Sequence, residues 1–284
     1  MTNDYGNELL HKVLLSAMKD IDKICRENNL KYYLHAGTLL GAVNHKGFIP
    51  WDDDVDITLL RNDFEKLAEI IEKEYSDWYY IQTYKTDTNY NNNRAKLRIK
   101  GTKLIDKTHG EQENEEIFID LAPLYFPPKS KVMQSFQKKC IEIIDAIVLI
   151  QMGDNIPTSA VSKYILYPLS KINRKFWGKV LDFLMIHMQN KKSGLLGTLC
   201  YVGFNPYTGL DGYYNDMISL ECYEHEEYLP FEDTEFMTIS HWHEDLLRRY
   251  GKDYMKPYPE EKRVTKHNVA SYEVDDEVRK RIGL

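Results

Sequence analysis

The stretch GFIPWDDDVDITLL, residues 47–60, carries a dense group of acids directly before an apolar run. Its aspartates are Asp52, Asp53, Asp54 and Asp56. Strands disfavour aspartate, and crowded carboxylates repel one another and are pushed toward protonation. On an extended segment, Asp54 and Asp56 share one face while Val55 and Ile57 point to the other, into the core. The pattern therefore predicts a strand that carries carboxylates at a sheet edge or in a cleft.

A divalent cation would make such a cluster tolerable. Two carboxylates roughly 7 Å apart along a strand can converge on one ion, whose charge then dominates the site. Hard oxygen ligands suit Mg²⁺, with Mn²⁺ as a substitute. Asp120, in IFIDLAP, is the only charge in an apolar strand sequence. Because a buried acid without a partner is costly, we expect Asp120 to join Asp54 and Asp56 at the metal.

Other interpretations of the acids stay open at this point. Four acids in a loop are often simply solvated, and Asp120 alone could be a helix cap or a salt-bridged core acid. An EF-hand loop is disfavoured, since Ile57 replaces the glycine at its sixth position and Asp63 the glutamate at its twelfth. The DxD motif of glycosyltransferases also binds a metal and a nucleotide diphosphate, and remains a rival.

Composition narrows the class of protein. The chain has 284 residues and a net charge of −7, which argues against nucleic-acid binding by bulk electrostatics. The N-terminus lacks the uninterrupted apolar core of a secretory signal, and no run of eighteen apolar residues predicts a membrane span. The four cysteines are widely scattered, without a CxxC pair. We therefore expect reduced thiols and a cytoplasmic protein.

Periodicity predicts an alternation of helices and strands before Pro128. The predicted helices are residues 7–28, a short helix within GTLLGAVNHKG, and the segment NDFEKLAEIIEKEYS. The predicted strands are KYYLHA, residues 55–60, NRAKLRIKG and EEIFIDLAPLYFPP. In NRAKLRIKG, Lys96 and Arg98 share one face and Leu97 points to the other. Near the C-terminus, a strand-like segment precedes a helix that stops near Gly251.

The middle of the chain is predicted to be helical, over residues 131–151 and 158–192. From Lys163 to Lys192 there are seven Lys or Arg residues against one acid, Asp182. Aromatic, aliphatic and basic residues at helical spacing are typical of helices that lie on anionic membranes. An ordinary amphipathic helix, packed on the core with a solvated basic face, explains the pattern as well. Peripheral membrane contact through residues 160–192, at the inner face of the membrane, is thus one of two interpretations.

The order of the motifs resembles the LicD family of phosphotransferases, relatives of the fukutin proteins in the nucleotidyltransferase superfamily. The resemblance rests on LHAGTLLGAVNHKGFIPWDDDVDITLLRNDFEKL, KLRIKGT, FIDLAPL and LLRRYGKDYMKPYPEEKR. It implies an α+β fold, in which a nucleotidyltransferase-like core of mixed β-sheet packs with helices. The predicted organisation is a catalytic core over residues 1–128, a helical insertion over 129–214 and a C-terminal part over 215–284 that completes the core. Tyr125 stands where the family often has an aspartate, and it receives no role.

The resemblance also implies the site. Its catalytic and metal-binding residues would be Asp54, Asp56 and Asp120, with Asp120 placed to accept the proton of the acceptor hydroxyl. The backbone at Gly37 and Thr38 would hold a diphosphate at the start of a helix. The candidates for stabilising phosphate charge are Lys46, Lys96 and Arg98.

The implied reaction moves a phospho-alcohol from a CDP-activated donor, such as CDP-choline or a CDP-polyol, to a hydroxyl of a glycan or lipid-linked glycan. CMP would be released. The bacterial targets implied are teichoic acids, capsules and lipopolysaccharides or lipooligosaccharides. The alternatives are a conventional nucleotidyltransferase, which releases pyrophosphate from an NTP, a DxD glycosyltransferase and a metal-binding scaffold without catalysis.

Overall fold

The computed structural model describes residues 5–87, 90, 94–106, 114–153, 159–200, 203–260, 263 and 269–284. Among the described residues, about 47% are helical and 21% are in strands, which confirms the α+β class. The chain divides into two compact units. The first unit comprises Met1–Ile81, Lys96–Pro123 and Tyr223–Leu284, and the second comprises Gln82–Ala95 and Leu124–Cys222. The domain limits expected from the sequence stay a prediction.

Helices and strands alternate as far as Glu74, and the described elements from there to Leu124 are strands, so the predicted alternation ends at Glu74. The middle of the chain is mainly helical, and the C-terminal part is mixed. Up to Leu124 the elements are α1 (Glu8–Glu27), β1 (Tyr32–Leu34), α2 (Ala36–His45), β2 (Asp56–Leu60), α3 (Arg61–Glu74), β3 (Tyr79–Gln82), β4 (Ala95–Ile99), β5 (Thr102–Asp106), β6 (Asn114–Glu115) and β7 (Phe118–Leu124). The middle contains α4 (Lys131–Met152), α5 (Tyr167–Leu169), α6 (Arg174–His187), β8 (Leu195–Leu196), α7 (Gly212–Asn215) and β9 (Ile218–Ser219). The C-terminal elements are β10 (Glu226–Phe231), β11 (Thr234–Ile239), α8 (Trp242–Tyr250), β12 (Val269–Val274) and α9 (Asp276–Arg281).

A mixed five-stranded sheet, in the order β1-β2-β7-β4-β3, organises the first unit. The acid-bearing strand β2 lies between β1 and β7 and is antiparallel to β1, with Ile57 opposite Leu34. Residues 56–59 of β2 are all buried. The periodic apolar stripe of α1 is buried as predicted. The aspartates that precede and open β2 are therefore attached to a strand in the interior of the sheet.

The second unit has its own hydrophobic core. Its buried members are Tyr125, Ile141, Ile144, Leu181, Met185, Leu199, Tyr213 and Met217. Helix α6 meets the ring of Tyr84 at Gly178, where an added Cβ would lie 2.4 Å from the ring. The Tyr84 hydroxyl donates to Asp182 at 2.5 Å. None of the helices in the described ranges is long and apolar enough to cross a bilayer.

The structure corrects the helix predicted over residues 158–192. A π-helical turn, Ser162–Leu166, runs into α5, which ends at Leu169, and α6 begins only at Arg174. The Asn173 side chain accepts a hydrogen bond from the Lys175 N–H and starts α6 as an N-cap. Periodicity alone missed this interruption because apolar and basic residues continue across it.

Candidate active site

The N-terminus of α2 presents backbone donors beside the acid-bearing strand. Its first intrahelical bond joins the Leu39 N–H to the His35 carbonyl at 3.2 Å. The N–H groups of Ala36, Gly37 and Thr38 precede that bond and have no acceptor one turn back in the helix. Ala36 holds a positive φ of 44°, a strained conformation for a residue with a Cβ. This helix end carries partial positive charge and is suited to an anion.

Thr38 connects this helix end to β2. Its Oγ1 accepts a hydrogen bond from the Asp56 N–H at 2.8 Å, and the His35 N–H donates to the Asp56 carbonyl at 3.1 Å. Both Thr38 and Asp56 are buried. Two of the predicted site segments, the Gly-Thr turn and the aspartate strand, are thus joined by hydrogen bonds. The sequence suggested only a backbone role for Thr38, whereas its side chain makes this link.

Asp120 lies on β7, the strand next to β2. Its N–H donates to the carbonyl of Val55 at 2.8 Å, and Val55 lies between Asp54 and Asp56 in the chain. The Oδ1 atom of Asp120 is buried. The structure therefore places Asp56 and Asp120 on neighbouring strands, with Asp54 two residues before Asp56. Their role as a ligand set stays a prediction.

A second grouping of acids was not assigned from the sequence. Within the residues the structure describes, one carboxylate oxygen from each of Asp52, Asp53 and Asp54 lies within 4.8 Å of the others. Asp52 and Asp53 are buried, with 5% and 4% of their surfaces exposed. Three carboxylates gathered this closely are hard oxygen donors of the kind that Mg²⁺ and Mn²⁺ prefer. The density of acids in the sequence was the available signal for Asp52 and Asp53.

The first turn of α1 and the residue that precedes it, Asn7, hold the backbone of this acidic cluster. The Asp52 carbonyl accepts hydrogen bonds from Asn7 Nδ2 at 3.2 Å and from His11 Nε2 at 2.8 Å. Burial lowers the pKa of His11, against the opposing effects of Asp52, Glu232 and Asp53. A neutral His11 therefore donates from Nε2 without bringing positive charge to the acids.

Tyr272 is a second uncharged neighbour of the acidic cluster. Burial, reinforced by the negative charge of Asp53, raises the pKa of Tyr272 to about 12. Tyr272 is therefore neutral at physiological pH and does not compensate the carboxylates either. Neither His11 nor Tyr272 therefore adds positive charge to the acids.

A close-packed loop leads from α2 to the acids. A Cβ on Gly41 would lie 2.5 Å from the Gly47 carbonyl, and one on Gly47 would lie 2.1 Å from Glu232 Oε1. Glu232, between β10 and β11, accepts from the Phe48 N–H at 3.1 Å and donates its own N–H to the Lys46 carbonyl at 2.7 Å. The two glycines and Glu232 thus fix the path of the chain into the aspartate segment.

The three predicted phosphate-binding cations have different surroundings. Lys96 Nζ lies 3.4 Å from the centre of the Phe118 ring, and Arg98 Cζ lies 5.1 Å from it. Arg98 is buried and donates to the Glu116 carbonyl at 2.9 Å, so its strand face is not solvated. Lys46 caps the C-terminus of α2, about 15 Å of helix away from the N-terminal donors. The structure does not bring the Lys46 backbone to that end of the helix.

An aromatic group lies next to the acids in sequence. The Trp51 ring stacks with Tyr258 at a centroid distance of 6.1 Å, and Arg263 Cζ lies 5.2 Å above the Trp51 ring. His45 meets Trp51 edge-on at 5.9 Å, and burial together with Arg263 lowers the pKa of His45. Tyr258 and Arg263 lie more than 200 residues from Trp51, so no local pattern pointed to this group.

Comparison with known proteins identifies similar sequences. Residues 29–142 match the LicD/FKTN/FKRP nucleotidyltransferase domain, a range that contains α2, the acidic cluster and β7. The chain is 25% identical over 268 residues to lipopolysaccharide cholinephosphotransferase LicD of Haemophilus influenzae, covering 92% of this chain and 95% of that protein.

Two shorter matches involve uncharacterized proteins of Rickettsia. The identity is 47% over 58 residues for the Rickettsia prowazekii protein and 50% over 58 residues for the Rickettsia typhi protein. Each covers 20% of this chain, and 22% and 19% of the two relatives. The domain match over residues 29–142 and the alignment with the Haemophilus protein over most of both chains support membership of this chain in the LicD family.

Proposed function

We propose that this protein transfers a phospho-alcohol, of the phosphocholine or phospho-polyol type, from a CDP-activated donor to a hydroxyl of a cell-surface glycan and releases CMP. The observation that carries the proposal is the hydrogen bond between Thr38 and Asp56, which holds an anion-binding helix end against the aspartate strand. The name of the Haemophilus relative, a lipopolysaccharide cholinephosphotransferase, supports a phosphocholine donor and a glycan acceptor.

The donor diphosphate is proposed to bind at the N-terminus of α2. The N–H groups of Gly37 and Thr38 precede the first intrahelical bond and are available to phosphate oxygens. Lys96 and Arg98 both contact the Phe118 ring from β4, the strand next to β7 and Asp120, and their charge would stabilise the phosphates. Lys46 remains a proposed contributor through its exposed side chain alone.

The acids are proposed to form a divalent metal site. Of the proposed ligands, Asp54 belongs to the close carboxylate group Asp52–Asp54, Asp56 opens β2, and Asp120 lies on the neighbouring strand β7. Asp54, Asp56 and Asp120 are the proposed ligands. When bound, Mg²⁺ or Mn²⁺ would supply positive charge to neutralise the diphosphate and the departing CMP.

Asp120 is the proposed general base. It would accept the proton of the acceptor hydroxyl, whose oxygen attacks the phosphorus that carries the alcohol. The new phosphorus–oxygen bond joins the phospho-alcohol to the glycan. The bond to CMP breaks, and CMP leaves with the electron pair. Phosphoryl transfer of this kind depends on positioning and charge neutralisation more than on covalent catalysis.

The products test the proposal. With CDP-choline, a purified glycan acceptor and Mg²⁺, we expect equal amounts of CMP and phosphocholine-modified acceptor, measured by chromatography and mass spectrometry. EDTA should stop the reaction, and added Mg²⁺ should restore it. A CDP-polyol is the second donor to test, since both kinds of alcohol fit the proposal.

Two results would contradict it. Pyrophosphate release from an NTP, without use of any CDP-alcohol, would identify a conventional nucleotidyltransferase. Consumption of a nucleotide sugar with sugar transfer would identify a DxD glycosyltransferase. The acids alone do not separate these reactions, because a metal at the phosphates serves each of them.

A further inference from the structure

The second unit exposes an unusual number of large apolar side chains in one segment of sequence. Tyr164 is 80% exposed and Phe183 is 58% exposed. Further exposed side chains in the same segment are Val161, Ile165, Tyr167, Ile172, Phe176 and Ile186. Single exposed apolar residues are ordinary on protein surfaces, whereas contiguous apolar patches mark interaction sites. Trp177 Nε1 on α6 donates to the Leu169 carbonyl on α5 at 3.2 Å, which holds the two exposed stretches next to each other.

Helix α6 has two different apolar faces. Leu181 and Met185 are buried in the core of the second unit. Phe176, Phe183 and Ile186 lie seven and ten residues apart, which places them on the opposite face, and they are exposed. An amphipathic helix that merely packs on the core would have a polar outer face. The outer face of α6 instead carries the exposed apolar side chains of Phe176, Phe183 and Ile186.

The same segment is strongly basic. Between Lys163 and Lys192 it has seven Lys or Arg residues and one acid, although the whole chain has a net charge of −7. The acid, Asp182, binds the Tyr84 hydroxyl and lies 3.5 Å from Lys85. The Lys171 ammonium lies 4.3 Å from the centre of the exposed Tyr167 ring, so a positive charge and an aromatic ring are in contact on this surface. Lys179 is exposed on the outer face of α6.

We propose that this basic–aromatic surface docks on an anionic lipid bilayer. The surface is defined by Tyr164, Ile165, Tyr167, Lys171, Phe176, Lys179, Phe183 and Ile186. Aromatic rings favour the membrane–water interface, and lysines near it are attracted to anionic headgroups. The docking would keep the protein at the inner face of the membrane, and it does not depend on the identity of the transferred alcohol.

Charge argues for lipid over a second copy of this chain. Two surfaces with a large excess of positive charge would repel each other on contact. Lysine is also depleted from the centres of protein–protein interfaces, whereas it is enriched on helices that lie in the bilayer interface. The mixture of exposed rings and lysines is therefore complementary to an anionic membrane.

Flotation of the full-length chain with vesicles tests the proposal. We expect binding to vesicles of phosphatidylcholine mixed with phosphatidylglycerol, weak binding to phosphatidylcholine alone, and loss of binding as salt is raised. The double variant Lys171→Gln/Lys179→Gln should lower the partition coefficient about fivefold for each lysine removed. Phe183→Ala should also weaken binding, because it removes an inserted ring.

The matched control is Lys66→Gln/Lys73→Gln, which removes two exposed lysines from α3 in the first unit. It should bind vesicles as the wild type does. The proposal is overturned by absence of binding at low salt, or by equal loss of binding in the control. It is also overturned if Phe183→Ala abolishes self-association in the absence of lipid, since the surface would then join two copies of the chain.

Transfer to a soluble acceptor distinguishes this proposal from the proposed function. Variants of the basic–aromatic surface should retain that activity while losing vesicle binding. Far-UV circular dichroism confirms that each variant is folded. If the protein binds vesicles but shows no transfer activity, the docking surface is supported and only the proposed reaction is contradicted.

Discussion

Replacing Asp56 by asparagine is expected to lower the rate of phospho-alcohol transfer by at least about 1,000-fold while the protein stays folded. The change keeps the shape of the side chain but removes the charge of a proposed metal ligand. The activation free energy of the transfer should therefore rise by several kcal/mol. The Asp56 N–H still donates to Thr38, so the link between α2 and β2 is retained. Asp54→Asn should have the same effect for the same reason. The measurement is kcat at saturating donor and Mg²⁺.

The control for this pair is Asp253→Asn. Asp253 is exposed and pairs with Lys256, outside the acidic cluster, and its variant should keep nearly normal turnover. If Asp54→Asn or Asp56→Asn retained a rate within a few fold of the wild type, the assignment of metal ligands would be wrong. Urea denaturation of each variant separates loss of function from loss of folding.

Replacing Asp245 by asparagine is expected to lower the free energy of unfolding by about 3–5 kcal/mol. Asp245 is almost fully buried on α8 and accepts hydrogen bonds from Arg248 at 2.5 Å and Arg249 at 2.9 Å. The substitution removes the negative charge from both of these largely buried ion pairs. Urea denaturation monitored by circular dichroism at neutral pH measures the loss.

The pH dependence of stability gives a second measurement of the same interaction. Burial alone would raise the pKa of Asp245, but Arg249, Arg248 and His35 outweigh it and hold the pKa below its usual value. Because the folded pKa is depressed, this stabilisation is present above the unfolded pKa of about 3.9 and is lost as the pH falls through the folded pKa. The asparagine variant should lack this part of the acid-induced loss of stability.

Glu244→Gln is the matched control for Asp245. Glu244 is exposed on the same helix, one residue away, and its substitution should change the free energy of unfolding by less than about 0.5 kcal/mol. A small effect of Asp245→Asn, comparable to that of the control, would show that the two arginines find other partners in the variant.

The elements that form this fold were largely predictable, because their signals are local. The apolar stripe of α1 and the glycine that ends α8 are contained within single segments. The position of β2 followed from apolar residues interleaved with aspartates. The interruption before α6 was not predicted. Asn173 can be recognised as an N-cap only when the turn that precedes it is known, and periodicity does not reveal that turn.

The contacts that complete the candidate site were less accessible to sequence reasoning. Glu232 fixes the loop before the acids from 184 residues away, and His11 holds the Asp52 carbonyl from 41 residues away. Such pairs depend on how separate elements pack, and no spacing in the chain encodes them. Arg98 illustrates the same limit, because alternation placed it on a polar strand face while packing against Phe118 buries it.

The binding of Mn²⁺, followed by electron paramagnetic resonance in the presence of cytidine diphosphate, tests the central claim most directly. The account predicts that the wild-type protein binds the ion and that Asp54→Asn and Asp56→Asn each weaken its affinity at least about 100-fold, beyond the usual loss for a residue that only supports a ligand. Unchanged affinity in both variants, or no binding by the wild type, would contradict the claim that these aspartates form a divalent metal site.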